Sequence, residues 1–170
     1  PVQGEGGVNL PSPGYLSAVR QWCDDNNLIL IFDEVQTGLG RLGKLFGYEV
    51  YQVEPDIITL AKGLGGGIPI GAFLAKDHAA VFEPKSEHGS TFGGNVLTCA
   101  AAHASTQFII NNEIPGKADD MGKYLMGKLL DLKETHSLIT EVRGVGLLKA
   151  VEFNREISAN LHTYCDKLGL

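Results

Sequence analysis

The chain has 170 residues, of which 44% are hydrophobic and 20% are charged, which is the composition of a globular protein with a sizeable core. Its net charge is -6 and no basic run exceeds two residues, so nucleic acid is excluded as an expected partner, because phosphate binding requires clustered Lys and Arg. No apolar run approaches the roughly 20 residues of a membrane-spanning helix, so no membrane partner is expected.

The cysteines and histidines argue against disulfide and metal chemistry. Cys23, Cys99 and Cys165 are far apart and odd in number, which disfavours a disulfide framework and favours a reducing cytosol. The five histidines form no HExxH motif and no Cys/His ladder, so no metal site is predicted. We therefore expect a cytoplasmic protein without a bound metal.

The first half of the chain predicts a helix followed by three strands. Ser12 suits a helix N-cap and Pro13 the first helical turn. The continuous apolar run 28–32 predicts a parallel strand covered on both faces, and segments 56–61 and 71–75 predict two more such strands. The apolar face of the helix comprises Tyr15, Leu16, Val19, Trp22 and Cys23.

The second half predicts two helices and two strands. Segment 95–110 lacks Gly and Pro and is rich in Ala, which predicts a long helix. Segment 117–132 has the apolar spacing of an amphipathic helix, and segments 138–142 and 147–153 predict strands.

The pattern of residue types along the chain changes around Pro115, and we place a domain boundary there. Residues 1–115 form the first predicted domain and residues 116–170 the second. Within the first domain, the order strand, crossover, strand, helix predicts an α/β sheet.

Segment 28–44, LILIFDEVQTGLGRLGK, suggests a nucleotide site at first reading. Segment 38–44 has the glycines and lysine of a phosphate loop, but Leu45 replaces the hydroxyl that binds magnesium. One strand would also have to supply both the carboxylate and the entry to the loop, and Gly47 disfavours the helix that must follow. We therefore reject nucleotide binding and assign Asp33 another role.

Asp33 and Lys62 end neighbouring predicted strands, so their side chains are expected to face one crevice. The glycine-rich segment 63–69 after Lys62 allows positive φ and close approach of backbone to a ligand. A pyridoxal-phosphate enzyme needs such a pair: a lysine for the aldehyde and a carboxylate that keeps the pyridine nitrogen protonated. A solvated lysine and a turn aspartate are the simpler alternatives, and the glycine-rich turn favours the functional interpretation.

Three motifs carry a resemblance to a known family. DEVQTGLGRLG at 33–43, PDIITLAKGLGGGIPIGAFLA at 55–75 and HGSTFGGN at 88–95 resemble the class III, fold-type I, pyridoxal-phosphate-dependent aminotransferases. VQGEGG at 2–7 and VRGVGLL at 142–148 are similar to the acetylornithine and ornithine aminotransferase branch. The resemblance implies part of a large α/β domain with a mainly parallel sheet, followed by part of a smaller α+β domain.

The resemblance also implies roles for single residues around the cofactor. Lys62 resembles the Schiff-base lysine that shuttles a proton, and Asp33 resembles the partner of the pyridine nitrogen. Val35 would pack against one ring face, and Gln36 would hydrogen-bond the phenolic oxygen. Ordinary turn packing is the alternative role for Val35 and Gln36.

Three further residues resemble phosphate- and substrate-binding positions. Thr91 would reach the cofactor phosphate of the other subunit, with a helix N-terminal hydroxyl as the alternative. Arg143 would grip the substrate α-carboxylate, a task suited to guanidinium, with a surface ion pair as the alternative. Glu5 would pair with Arg143, with a solvated loop acid as the alternative.

The activity implied is transamination between N-acetylornithine, or a related ω-amino acid, and 2-oxoglutarate. The kinetic scheme would be ping-pong through pyridoxamine phosphate. The resemblance also implies a role in arginine biosynthesis and a cytoplasmic homodimer. Alternatives are a 4-aminobutyrate, succinylornithine or ornithine aminotransferase, a glutamate-semialdehyde aminomutase, or a non-catalytic fragment or oligomerisation module. The family's upstream phosphate loop and ring-stacking aromatic are not among these residues. We therefore expect a fragment of a much longer protein, inactive by itself.

Overall fold

The computed structural model describes residues 1–82 and 88–170, which form two small sheets with helices packed against them. Short 3-10 turns occupy Lys62–Gly65 and Asp77–Ala79. No described helix is both long and apolar enough to cross a membrane. In chain order the other elements are α1 (Tyr15–Asp25), β1 (Ile31–Asp33), α2 (Gly47–Tyr51), β2 (Ile57–Leu60), β3 (Ala72–Ala75), α3 (Val96–Asn111), α4 (Ile114–Thr135), β4 (Ile139–Val145), β5 (Leu148–Phe153) and α5 (Ser158–Lys167).

The first sheet has the order β1-β2-β3. β1 and β2 are parallel, with Ile31 opposite Ile57 and Asp33 opposite Thr59. β3 is antiparallel to β2 and largely exposed, so the prediction of a third buried parallel strand is wrong. The physical reason is the connection 61–71, which is too short for the crossover of a dozen or more residues that parallel strands require.

The apolar run before Asp33 is covered on one face only by the described residues. Leu30 and Phe32 are buried against Cys23 of α1 and Ile58 of β2. Ile31 and the two residues before Leu30 are exposed. The expectation of cover on both faces is therefore wrong for this chain as described, because α1 packs against one side of the strand.

Helix α1 begins later than its sequence signals indicate. Gly14, with φ of 80°, precedes the first helical residue, and no side chain caps the helix. Ser12 contributes its backbone carbonyl to the Tyr15 amide at 3.1 Å, and Pro13 stays outside the helix. The cap prediction is wrong because a positive-φ glycine, which costs no steric strain, makes the turn into the helix.

Only part of the predicted apolar face of α1 is buried. Leu16, Val19 and Cys23 pack in the core, whereas Tyr15 and Trp22 are 56% and 60% exposed.

The predicted helix at 95–110 is confirmed as α3, and Asn95 caps it by accepting the Thr98 amide at 3.0 Å. Helix α4 packs against α3 and against β4, and it begins at Ile114 rather than at 117. Pro115 lies in its first turn, where a missing N–H leaves no hydrogen bond unmade. The change in residue pattern at Pro115 thus coincides with the start of a helix. The domain boundary there stays a prediction.

The two strands predicted at 138–142 and 147–153 are confirmed as β4 and β5, which pair as an antiparallel hairpin with Val145 opposite Leu148. The hairpin tip touches the loop that follows β1: the Leu147 amide donates to the Arg41 carbonyl at 3.0 Å. Gly146, with φ of 52°, lies so close that a Cβ would be 2.5 Å from the Arg41 oxygen. On its other side, a Cβ on Gly122 of α4 would lie 2.5 Å from the Gly146 carbonyl carbon. The two glycines therefore allow three backbone segments to meet.

Asp56 is a buried carboxylate that joins four segments at the amino-terminal end of β2. Its Oδ2 accepts from the Arg20 guanidinium and from the Leu30 amide, both at 2.8 Å, and its Oδ1 lies 3.1 Å from His78 Nε2. Its backbone also bonds Leu30 and Lys76. Burial by itself raises the pKa of Asp56, but the hydrogen bonds from Leu30 and Arg20, with the Arg20 charge, bring it below the ordinary value.

We expect Asp56→Asn to lower the free energy of unfolding at pH 7 by about 2 kcal/mol, because it removes the buried negative charge beside the Arg20 guanidinium and puts an NH2 donor in place of one acceptor oxygen. A depressed pKa stabilises the fold above the unfolded-state value of about 4 and loses that contribution as pH falls through the folded-state value. Urea denaturation should therefore show the difference between wild type and variant shrinking between pH 7 and pH 3. A difference that is constant over this range would contradict the assignment.

The control is Asp24→Asn, which removes the charge of the exposed partner of the same guanidinium, 2.6 Å from Arg20. An exposed ion pair contributes at most about 1 kcal/mol, so this variant should stay close to wild type at both pH values.

Two glycines of α4 offer a matched test of the contact at the hairpin tip. Gly122→Ala should destabilise the chain by about 2 kcal/mol, because the added methyl group overlaps the Gly146 carbonyl. Gly127→Ala, whose Cβ meets nothing within 4 Å, should stabilise it by about 0.5–1 kcal/mol through helix propensity alone. Thermal or urea unfolding measures both, and effects of the same sign would disprove the close contact.

Candidate active site

Asp33 and Lys62 lie at the same edge of the first sheet. The parallel register places Asp33 opposite Thr59, and Lys62 follows at the start of the turn after β2. Both side chains are exposed to a cleft of about 890 Å³. The structure thus brings Asp33 and Lys62 together, as predicted from their positions at the ends of neighbouring strands.

The Asp33 carboxylate is held by its own turn. Its Oδ1 accepts the Val35 amide at 2.9 Å, an arrangement common where an aspartate ends a strand. Among residues 1–82 and 88–170, no further hydrogen bond to this side chain is formed. The carboxylate is therefore oriented at one oxygen and open to a ligand at the other.

Lys62 adopts the left-handed backbone conformation, with φ of 48°, which costs a non-glycine residue roughly 1–2 kcal/mol. Its neighbour Gly63 accepts the Ser105 hydroxyl of α3 at 3.2 Å, so the helix anchors the turn. Lys62 also lines two adjoining cavities, of about 440 and 860 Å³. Lys62 thus lies where the cleft and the two cavities adjoin. Backbone strain such as that at Lys62 is often found at functional positions.

Val35, Gln36 and Glu5 line the same cleft as Asp33 and Lys62. Gln36 Nε2 donates to Glu5 Oε1 at 3.4 Å, a long hydrogen bond between the turn after β1 and the N-terminal segment. Gly4 lies directly against the Gln36 amide, and a side chain at this position would displace it. Four expected cofactor residues and Glu5 therefore converge in one cleft.

Arg143 lies outside this group. Its Nε donates to the Gly7 carbonyl at 2.9 Å, and its Nη1 lies 2.5 Å from Glu152 and 3.2 Å from Glu141. The hydrogen bond from Arg143 to Glu152, with the nearby charge of Glu141, raises the pKa of the guanidinium. The structure does not bring Glu5 to Arg143, since Glu5 is bonded to Gln36 instead; their joint role in substrate binding stays a prediction.

Thr91 is exposed in the bend before α3. The residues that follow it, 92–95, line the cavity of about 860 Å³ together with Lys62. Its alternative role as a hydroxyl cap is wrong, because Asn95 caps the helix. Its role toward a partner subunit stays a prediction.

Sequence reasoning assigned no role to Glu34, which is only 1% exposed. The Glu34 carboxylate accepts the Gly47 amide at 2.8 Å, the Tyr48 amide at 2.7 Å and the Thr37 hydroxyl. The available signal was strand alternation, which turns consecutive side chains to opposite faces. If Asp33 faces the crevice, Glu34 must face inward.

The cleft offers groups that fit the aldehyde and the ring of pyridoxal phosphate: a primary amine, a carboxylate and a side-chain amide. The described residues include no cluster of three or more His, Cys, Asp or Glu side chains that could hold a metal ion.

The strain at Lys62 can be measured by backbone substitution. Lys62→Gly should be about 1 kcal/mol more stable than Lys62→Ala, because both lose the amine but only glycine adopts φ of 48° without steric cost. Urea denaturation of the two variants measures the difference. Equal stabilities would show that the residue is not held in this conformation.

Comparison with known proteins identifies the family of the chain. The family described as Aminotransferase class-III matches residues 1–169. A relative named acetylornithine aminotransferase, from Caldanaerobacter subterraneus subsp. tengcongensis, is 50% identical over 160 residues, covering 94% of this chain and 40% of the relative. The chain thus spans about 40% of the length of the curated relatives that it matches.

Two solved structures have the same fold. The acetylornithine aminotransferase from Elizabethkingia anophelis superposes with a TM-score of 0.88 at 39% identity, covering 96% of this chain and 41% of that protein. A taurine:2-oxoglutarate aminotransferase from Bifidobacterium kashiwanohense, described in complex with PLP and glutamate, gives 0.91 at 28% identity, with coverages of 99% and 42%. The expected fold class is confirmed, and the chain belongs to the class III aminotransferase family.

Proposed function

We propose that this chain carries the lysine and the ring-binding residues of an aminotransferase that moves an amino group between N-acetylornithine and 2-oxoglutarate by a ping-pong scheme with pyridoxal 5′-phosphate. The observation that carries the proposal is the exposure of Asp33 and Lys62 to one cleft at the carboxyl ends of paired strands. The names of the curated relatives support the choice of acetylornithine as amino donor.

The cofactor, when bound, supplies an electron-accepting ring that stabilises negative charge at the substrate Cα. The Lys62 amine would hold the cofactor through its aldehyde carbon, with loss of water. Once the substrate amine displaces it, the free Lys62 amine would take the proton from Cα and deliver it to the former aldehyde carbon. The Asp33 carboxylate stabilises a proton on the pyridine nitrogen, because an opposite charge favours the protonated form. Its fixed oxygen, bonded to Val35, leaves the other free for this contact.

Val35 and Gln36 complete the ring-binding set. Val35 supplies an apolar contact to one ring face, and the Gln36 amide donates to the phenolic oxygen. Since Gln36 is already bonded to Glu5, the N-terminal segment takes part in orienting this amide.

In this proposal Arg143 binds the substrate carboxylate, and Thr91 binds the cofactor phosphate. Arg143 is held by Glu152 and Glu141 in the structure, so a substrate carboxylate replaces one acid with another of equal charge. Thr91 serves the partner subunit of a homodimer, which is a further part of the proposal. A cytoplasmic location is proposed as well, in keeping with three free cysteines.

Borohydride reduction tests the cofactor site. In wild type, reduction in the presence of pyridoxal 5′-phosphate should attach one cofactor to the peptide that contains Lys62, as seen by mass spectrometry. Lys62→Ala should lose this adduct, whereas Lys44→Ala, which removes another exposed lysine, should keep it. Asp33→Asn should weaken cofactor binding by roughly tenfold or more, because it removes a charge-assisted hydrogen bond.

An adduct spread over several surface lysines, or one retained in Lys62→Ala, would count against the proposed site and in favour of a non-catalytic module. The amino donor is identified separately, in the longer protein of which this chain is expected to be a part, by the loss of the cofactor's visible absorption on addition of N-acetylornithine, ornithine or 4-aminobutyrate. A faster change with either of the last two would overturn the choice of acetylornithine.

A further inference from the structure

The buried carboxylate of Glu34 directly follows the exposed carboxylate of Asp33. Both Glu34 oxygens are occupied by donors: Oε1 by the Tyr48 amide, and Oε2 by the Gly47 amide and the Thr37 hydroxyl. A Cβ on Gly47 would lie 2.7 Å from Oε2, so only glycine permits this contact. A carboxylate, which offers acceptors only, matches three donors without leaving any buried polar atom unpaired.

The backbone of Glu34 is held as firmly as its side chain. Its amide donates to the Thr59 carbonyl at 3.0 Å, and its carbonyl accepts the Gly38 amide at 2.9 Å. Glu34 is therefore bonded to β2, to its own turn and to the start of α2. The residues that face the cleft, Asp33, Val35 and Gln36, stand on either side of this anchored residue.

We propose that Glu34 is a positioning residue for the cofactor site: its buried carboxylate fixes turn 34–38, and the turn fixes the direction of the Asp33 carboxylate and the Gln36 amide. The inference rests on the proposed function for its purpose but concerns contacts within this chain. Thr37 is part of the same device, because its hydroxyl is one of the three donors.

The reporter is the Val35 amide, which donates to Asp33 Oδ1 only while the carboxylate keeps its observed direction. Nuclear magnetic resonance of the full 15N-labelled chain follows this amide without any cofactor. Acid titration of wild type should move the Val35 amide proton as Asp33 is protonated, and Asp33→Asn should abolish that movement. Loss of global stability alone does not change the size of this movement in the folded state.

Glu34→Gln and Thr37→Val should each reduce the titration movement of the Val35 amide and speed exchange of the Val35 and Gly38 amides by about tenfold. Glu34→Gln turns an N–H group toward an amide donor, and Thr37→Val removes a hydroxyl at nearly constant volume. Thr37→Ser keeps the hydroxyl and should restore the wild-type behaviour. If Glu34→Gln does not fold, the Thr37 pair decides the question.

Asp56→Asn is the control for general destabilisation, because it breaks contacts at the opposite end of β2. It should leave the Val35 titration as in wild type. If Glu34→Gln and Thr37→Val also leave it unchanged, Glu34 merely stabilises α2 and the proposal is overturned.

Addition of pyridoxal 5′-phosphate separates this proposal from the proposed function. In a wild-type chain that takes up the cofactor, Glu34→Gln and Thr37→Val should alter its absorption spectrum, whereas Thr37→Ser should not. A wild-type chain that takes up none contradicts the proposed function only, because the amide measurement decides the role of Glu34 without the cofactor.

Discussion

The parallel pairing of β1 with β2 is the constraint on which the rest of the site depends. Parallel strands end at the same edge of a sheet, so the register that sets Asp33 opposite Thr59 also sets Lys62 beside the same cleft. The pairing is secured at both ends. Asp56 bonds Leu30 where the strands begin, and the Glu34 amide bonds the Thr59 carbonyl where they end.

Two adjacent acids at the end of β1 show how one strand serves both chemistry and stability. Asp33 is exposed and bonded at one oxygen, whereas Glu34 is buried and bonded at both. The difference comes from the alternation of side chains along a strand, which turns the two acids to opposite faces. The same carboxylate chemistry thus provides a ligand contact on one face and an internal anchor on the other.

The sequence predicted those parts of the molecule that depend on local chemistry. The long Ala-rich helix, the two strands on either side of Gly146 and the pair formed by Asp33 and Lys62 follow from composition, apolar spacing and strand ends. The direction of β3 was mistaken because apolar content says nothing of direction, while connection length does. Ser12 was mistaken as a cap because Gly14 offered a turn without a side chain.

Contacts between distant segments could not be predicted in this way. The acids around Arg143 come from both strands of a hairpin, and its bond to Gly7 spans nearly the whole chain. Such pairings depend on tertiary packing, which no local pattern records. Glu34 combines a predictable and an unpredictable feature. Its inward direction could be predicted from the outward direction of Asp33, but its hydrogen-bond partners Gly47 and Tyr48 could not.

The glycine contact at the hairpin tip has a mechanical consequence. The backbones at Gly122, Gly146 and Leu42 meet without intervening side chains. Helix α4 and the hairpin therefore contact each other, and the hairpin contacts the loop after β1, directly through backbone atoms. Close-packed backbones transmit displacement because they have no rotamers through which to absorb it. We therefore expect a displacement of the C-terminal hairpin to displace the loop after β1 as well.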